Sequence, residues 1–287
     1  MKKIVYILLL FLLVGCSQNI ENSRFEIDFI DVGQGDATLV MCNNHNILID
    51  CGDKNHSTTL GYYLTQEGKE IKELDYLICT HPHEDHIGGA EGGVFSYCES
   101  VGEVYCPSAK EKHDSYNNLK SICERHDIEL KTLSEGEKLK ISDVTLEVLA
   151  VDVDPTNEND SSMVLMITYK SKFDFFGKNK IKILMMSDAL MQTQNHLIEN
   201  YTEDELKCDI MKVAHHGGEG AASGYELLNL AQPAYSIISV GAINTYNHPS
   251  ESVVNRLKNI GSEVYMTSVN HSIICTLNGS KLNFTFR

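Results

Sequence analysis

The sequence predicts an α+β fold, an αββα four-layer sandwich in which two sheets pack face to face with helices outside. Three observations carry this expectation. Short apolar runs of strand character recur along the whole chain, helical patterns are interposed among them, and clusters rich in His and Asp fall directly after strands. The chain has 287 residues, 42% hydrophobic and 22% charged, an ordinary globular balance. No linker rich in Pro, Gly or Ser divides it, so one domain over 25–287 is expected, preceded by a short linker at 17–24.

Each element has its own signal. The run 25–30 alternates apolar and polar residues, and strands at 37–41 and 46–49 follow turn signals, the third ended by Asp50-Cys51-Gly52. A helix over 58–65 precedes a strand at 76–79, and 103–105 is a further short strand. The stretch 116–125 reads as a helix with Tyr116, Leu119, Ile122 and Cys123 on one side. In the second half, strands are expected at 144–151, 163–169 and 181–186, the last two joined through a hairpin region at 173–180. Helices at 189–199, 223–230 and 250–260 alternate with strands at 210–214, 235–240, 263–266 and 272–277. The cluster Phe173, Phe175 and Phe176 reads as hairpin packing in preference to a platform for stacking bases.

The first residues are a separate object. Met1-Lys2-Lys3, an apolar run over 4–14 and Gly15-Cys16-Ser17 describe an export signal too short to span a bilayer. Leu13-Val14-Gly15-Cys16 resembles a bacterial lipobox, which makes 1–16 a lipoprotein signal peptide and Cys16 the lipid anchor. The expected location is the extracytoplasmic face of a bacterial membrane, with the anchor as the sole membrane contact. Eight further cysteines include no CxxC, and several lie in apolar strand-like runs, so mostly buried thiols are expected. The formal net charge is −16 and no Lys/Arg cluster forms a phosphate-binding stripe. That balance counts against tight, salt-sensitive binding to duplex nucleic acid. A phosphodiester substrate stays open, because bound cations can supply local positive charge.

The decisive segment is His81-Pro82-His83-Glu84-Asp85-His86, which follows the apolar run 76–79. A strand that ends in alternating imidazoles can aim His81 and His83 at one metal, and the turn that follows can aim Asp85 and His86 at a second. Four other polar clusters close strands or open a helix: Asp50, Ser187-Asp188, His215-His216-Gly217-Gly218, and Asn247-His248-Pro249-Ser250.

With these segments in view, the chain resembles the metallo-β-lactamase fold superfamily, and within it the β-lactamase-like domain of the competence DNA-internalisation protein ComEC. The likeness is carried by Asp31-Val32-Gly33-Gln34-Gly35-Asp36-Ala37, Leu48-Ile49-Asp50-Cys51-Gly52, the histidine motif, Asn159-Asp160-Ser161-Ser162, Met186-Ser187-Asp188-Ala189, Lys212-Val213-Ala214-His215-His216-Gly217 and Tyr246-Asn247-His248-Pro249-Ser250. It implies two mixed sheets flanked by helices and a stand-alone exported hydrolase. It also implies two divalent metal ions, zinc or manganese: His81 and His83 on the first, Asp85, His86 and His215 on the second. Asp188 would bridge them and Asp50 would orient the histidine loop from behind.

By the same resemblance, Asp85 and His248 serve the catalytic step, His248 through a proton or hydrogen bond to developing charge. The implied reaction is attack on a phosphodiester, single-stranded DNA or RNA first, by a hydroxide held between the two metals. A lactonase or lactamase on the same core is the alternative of the same class, and a non-catalytic, metal-stabilised surface binding protein that of another. The chain also departs from the family. It lacks a further first-site histidine, which leaves Asp160 as an oxygen ligand and raises manganese as a rival to zinc. Gly218 stands where the competence relatives usually show serine. Among the other histidines, His113, His126, His45, His56, His196 and His271 read as solvated. Lys212 reads equally as a phosphate-neutralising cation or a solvated strand-edge lysine.

Overall fold

The computed structural model describes residues 25–107, 113–171, 180–278 and 281–287; Cys16, the leader, the linker and the Phe173 cluster lie outside the described residues. Among the described residues the chain order of strands is β1 (Phe25–Phe29), β2 (Thr38–Cys42), β3 (His45–Ile49), β4 (Glu73–Ile78), β5 (Ser100–Tyr105), β6 (Leu130–Lys131), β7 (Lys138–Ile141), β8 (Val144–Ala150), β9 (Val164–Lys170), β10 (Lys180–Met185), β11 (Ile210–Lys212), β12 (Tyr235–Ile238), β13 (Glu263–Met266), β14 (Ile273–Asn278) and β15 (Lys281–Phe286). They form an eight-stranded sheet in the order β15-β14-β1-β2-β3-β4-β5-β6 and a seven-stranded sheet in the order β13-β12-β11-β10-β9-β8-β7.

Both sheets are mixed, and each divides cleanly. Pairing is antiparallel from β15 to β3 and parallel from β3 to β6. In the second sheet it is parallel from β13 to β10 and antiparallel from β10 to β7. Parallel strands need crossovers, and helical crossovers return the chain so that all strand C-termini share one edge. Every expected metal-type cluster follows a strand of these parallel halves.

Three apolar layers hold the four structural layers together. Between the sheets, Phe25, Ile27, Val40 and Ile47 of the first meet Leu146, Ile167, Ile183 and Ile237 of the second. Beneath the outer face of the first sheet, Leu60 and Leu64 of helix α1 (Ser57–Thr65) pack with Leu39 and Leu77; Leu119, Ile122 and Cys123 of Asp114–Arg125 complete that layer. The second sheet is covered by Met191–Asn200, Tyr225–Ala231 and Glu251–Asn259 through Leu197, Leu227 and Val253. None of the eight described cysteines is in a disulfide, and all but Cys98 are buried. No helix among the described residues is long and apolar enough to cross a membrane.

Alternation in β1 has one consequence for stability. Phe25, Ile27 and Phe29 face the inter-sheet layer, so Glu26 and Asp28 turn toward α1 and meet the buried Lys69 ammonium, 2.5 Å from Glu26. Tyr63 donates to Asp28 at 3.1 Å. Burial pushes the Asp28 carboxyl up to about 6, and Lys69 only partly opposes it. A raised carboxyl favours the fold fully below the unfolded value, near 4, and that contribution is lost as pH rises through about 6. Asp28→Asn, neutral throughout, should therefore gain on the parent by up to ~3 kcal/mol between pH 4 and 6. Urea unfolding at three pH values reads this directly; a difference that stays flat across the window refutes it.

Candidate metal centre

Five strand ends converge on one edge of the sandwich. β3 delivers Asp50, β4 the histidine motif, β10 Ser187-Asp188, β11 His215-His216, and β12 the loop that carries His248. The first of these is a scaffold. Asp50 accepts hydrogen bonds from the Thr80 backbone N–H at 2.7 Å and the Thr80 hydroxyl at 2.8 Å, and it pairs with His86 Nδ1 at 2.8 Å. Its carboxylate thus fixes both the start of the motif and the ring at its end.

The loop before β2 packs directly on the motif. The Asp36 N–H donates to the Asp85 carbonyl at 3.1 Å, and a Cβ on Gly35 would stand 2.5 Å from that same oxygen. Glycine is needed there for close backbone approach.

Among the described residues three groups of ligand atoms result: one is Asp36, Asp50 and His86, and the other two share Asp188. Of these two, His81, His83 and Asp188 form the first; Asp85, His86, Asp188 and His216 form the second. In the first, His81 Nε2 and His83 Nδ1 lie 3.0 Å apart, near the ~3.3 Å that two nitrogens on one tetrahedral zinc would show. In the second, His86 Nε2 is 3.2 Å from Asp188 Oδ1, and His216 Nε2 is 3.2 Å from Asp85 Oδ2 and 3.8 Å from Asp188 Oδ1.

The donor set fits divalent cations on independent grounds. His86 Nε2 and Asp188 Oδ1 are buried and have no hydrogen-bond partner among the described residues. Because the Nδ1–H of His86 is taken by Asp50, a neutral ring would point its Nε2 lone pair at a carboxylate oxygen. That contact is favourable only with a proton or a cation between the two atoms.

The electrostatics agree. Burial alone would raise the Asp188 carboxyl, yet His86 and His216 hold it well below the usual range. Asp85 is likewise brought down to about 2 by His86 and His216 against the burial that opposes them. Burial keeps the His81 ring neutral, as a ligand must be, and neighbouring His86 adds to this. His216 goes the other way. Burial disfavours its charge, but Asp188, Asp36 and Asp85 raise it to about 10.

His216 occupies the place that the sequence reading gave to His215. Both residues sit in left-handed backbone, at φ 53 and 48, followed by Gly217 at φ 76. Non-glycine residues held so cost about 1–3 kcal/mol each and persist where the surroundings over-determine them. This turn sends the His216 ring inward, where the Ser239 carbonyl accepts from its Nδ1 at 2.9 Å. It leaves His215 Nε2 3.7 Å from Asp188 and its ring beside His248, at 5.3 Å between centroids. Spacing alone could not separate two adjacent imidazoles whose backbone turns left-handed. His216→Ala should therefore lose one bound cation, while His215→Ala retains both and loses turnover only. Metal counting by mass spectrometry decides, and the reverse pattern would restore His215 as the ligand.

Three other expectations are corrected. The Asp160 carboxylate does not face the centre: its Oδ1 accepts from the Leu190 and Thr193 N–H groups, at 2.9 and 3.0 Å, and anchors the helix after Asp188. Lys212 is neither solvated nor free for phosphate. It is fully buried, and its Nζ lies 2.6 Å from Asp36. His113 is not solvated either, since its Nε2 contacts Glu158, which also meets His83 Nε2 at 3.0 Å. Nothing in the sequence linked His83, His113 and Glu158. His45, His56 and His196 are partly exposed beside Asp75, Asp53 and Glu135, and His126 and His271 are exposed.

His248 borders the second group of ligands, through His216. Its ring stacks on His216 at 6.3 Å, and its Nδ1 is buried without a partner among the described residues. Gly218 has ordinary backbone, φ −63, but a Cβ there would stand 2.7 Å from His248 Nε2. The glycine at this position thus makes room for this ring. Burial, and then the neighbouring His215 and His216, lower the His248 pKa and keep the ring neutral at pH 7.

Comparison with known proteins agrees with this fold. The family model described as metallo-beta-lactamase superfamily matches residues 30–95. ComE operon protein 3 of Bacillus subtilis (strain 168) is 28% identical over 271 residues, 88% of this chain and 33% of that protein. Recombination protein 2 of Haemophilus influenzae is 28% identical over 273 residues, 93% of this chain and 31% of its own length. The chain therefore spans about a third of the length of these relatives. Among solved structures, the metallo-beta-lactamase fold protein YhfI from Bacillus subtilis superposes with a TM-score of 0.54 at 12% identity, over 92% of this chain and all of that one.

Proposed function

The chain belongs to the metallo-β-lactamase superfamily, with ComEC-like competence proteins among its relatives, and from that premise we propose that it is a phosphodiesterase acting on single-stranded nucleic acid or short phosphodiesters. The observation that carries the reading is the sharing of Asp188 by two groups of ligand atoms at one edge of the sandwich. Divalent cations bound there, zinc or manganese, supply an activated water at neutral pH and neutralise phosphoryl charge. Around them the chain's own residues divide the work. Asp188, nearly fully buried, ties the two positions together, while Asp85 is one-third exposed and reaches the substrate side. His248, neutral and beside His216 of the second group, offers an N–H to the leaving oxygen.

The acidic surface bears on substrate length. With a net charge of −16, long duplexes are repelled, and attraction for phosphate concentrates at the metal centre. The name of the Haemophilus relative, a recombination protein, favours DNA among the phosphodiesters. The reading retains export and a lipid anchor at Cys16, from the lipobox residues alone.

The test is hydrolysis of bis-p-nitrophenyl phosphate and labelled single-stranded DNA, by chelated protein and with manganese or zinc restored. Metal-dependent cleavage of both is expected. If neither is cleaved with any metal while a lactone or β-lactam is, the phosphodiester reading falls and the lactonase alternative replaces it.

A further inference from the structure

Each imidazole in the two ligand groups has a partner behind it. His86 has Asp50, at 2.8 Å; His216 has the Ser239 carbonyl, at 2.9 Å; His81 has the Thr80 and Ser187 hydroxyls, at 3.2 and 3.4 Å. All these partners are buried. His83 differs. Its ring is 31% exposed, and the group behind it is the Glu158 carboxylate, 40% exposed, on the loop between β8 and β9. Glu158 is itself held from its other oxygen by His113, which stands just before the helix Asp114–Arg125.

We propose that Glu158 and His113 form a clamp on His83 that sets how firmly the first cation position, His81-His83-Asp188, is occupied. This inference rests on the two-cation reading above. The chemistry is that of a tautomer lock. His83 turns Nδ1 toward His81, so its proton must sit on Nε2. A carboxylate there accepts that proton in a hydrogen bond, fixes the ring plane and makes Nδ1 a better donor. His113 keeps Glu158 from swinging into solvent. Both are positioning residues and neither is a ligand. Because three side chains serve this position against four at the other, and because its clamp lies on a surface loop, the first position is the weaker and more exchangeable of the two.

The experiment is calorimetric titration of the chelated protein with manganese, for the parent, Glu158→Ala, Glu158→Gln, His113→Ala and the same-loop control Thr156→Ala. Among the described residues, Thr156 bonds only to Asp154 within its own turn. The parent should take up two equivalents in unequal steps. Glu158→Ala should weaken the weaker step by about 10–100-fold and leave the tighter step unchanged. Glu158→Gln, which keeps a neutral acceptor, should fall between, and His113→Ala should move the same step by less. The clamp is refuted if Glu158→Ala binds like the parent, if both steps fall together, or if Thr156→Ala matches it. A parent that never takes up a second equivalent overturns the two-cation reading itself, and the clamp with it.

Discussion

Asp188→Ala should bind fewer cations than the parent and lose at least about a thousandfold in kcat, ~4 kcal/mol of barrier. The reason is geometric. Asp188 is the one residue common to both ligand groups, and it lies 3.2 to 3.8 Å from nitrogens of His81, His86, His215 and His216. Its removal disconnects the two positions, a larger loss than the 10–100-fold that follows from deleting a group behind a ligand. Asp188→Asn keeps the shape and removes the charge, and so separates ligation from packing. An enzyme predicts a folded Asp188→Asn protein with lost turnover and reduced metal content. A metal-stabilised binding protein predicts instead that melting temperature falls first, with no turnover in the parent to lose. Unchanged turnover with two cations retained would remove Asp188 from the centre altogether.

The distribution of legible and illegible features follows from how each is encoded. The four layers were readable because strand alternation and helical spacing are local patterns, and the helix at Asp114–Arg125 shows its apolar side in four residues. The histidine motif stood out because its His and Asp residues fall within six positions, and Asp50 because it closes a strand. What escaped were pairings between distant segments. Glu158 meets His83 across 75 residues, and Lys212 meets Asp36 across 176, with no periodicity to announce either. Short edge strands such as β6 and β15, with polar and half-exposed residues, were missed because pairing and not pattern defines them. Which of His215 and His216 turns inward was hidden for a third reason. It depends on two left-handed residues, and side-chain chemistry gives no sign of backbone handedness.

Lys212→Met should be the most destabilising single change outside the centre, at about 3–5 kcal/mol, because it leaves a buried carboxylate uncompensated. Lys212 lies on β11 of one sheet and Asp36 in the loop before β2 of the other, so the 2.6 Å contact joins the two sheets beneath the metal centre. Burial works against the Asp36 charge, and it is the Lys212 ammonium, helped by His216, that holds the carboxyl far below its ordinary range. The sign for pH follows. A lowered carboxyl contributes stability above the unfolded value near 4, and the contribution fades only as pH falls toward the folded value, in strong acid. At neutral pH the full penalty should therefore appear in urea unfolding of Lys212→Met. Asp36→Asn added to Lys212→Met should recover much of it, since removing both charges is far milder than stranding one. The pair also reaches the chemistry, because Asp36 lies 3.4 Å from His216 Nδ1. A stranded Asp36 would draw that ring away from Asp85, so Lys212→Met should weaken metal binding even where the protein stays folded. A loss below ~1 kcal/mol, of the size seen for solvated surface pairs, would show that Lys212 is hydrated in solution after all.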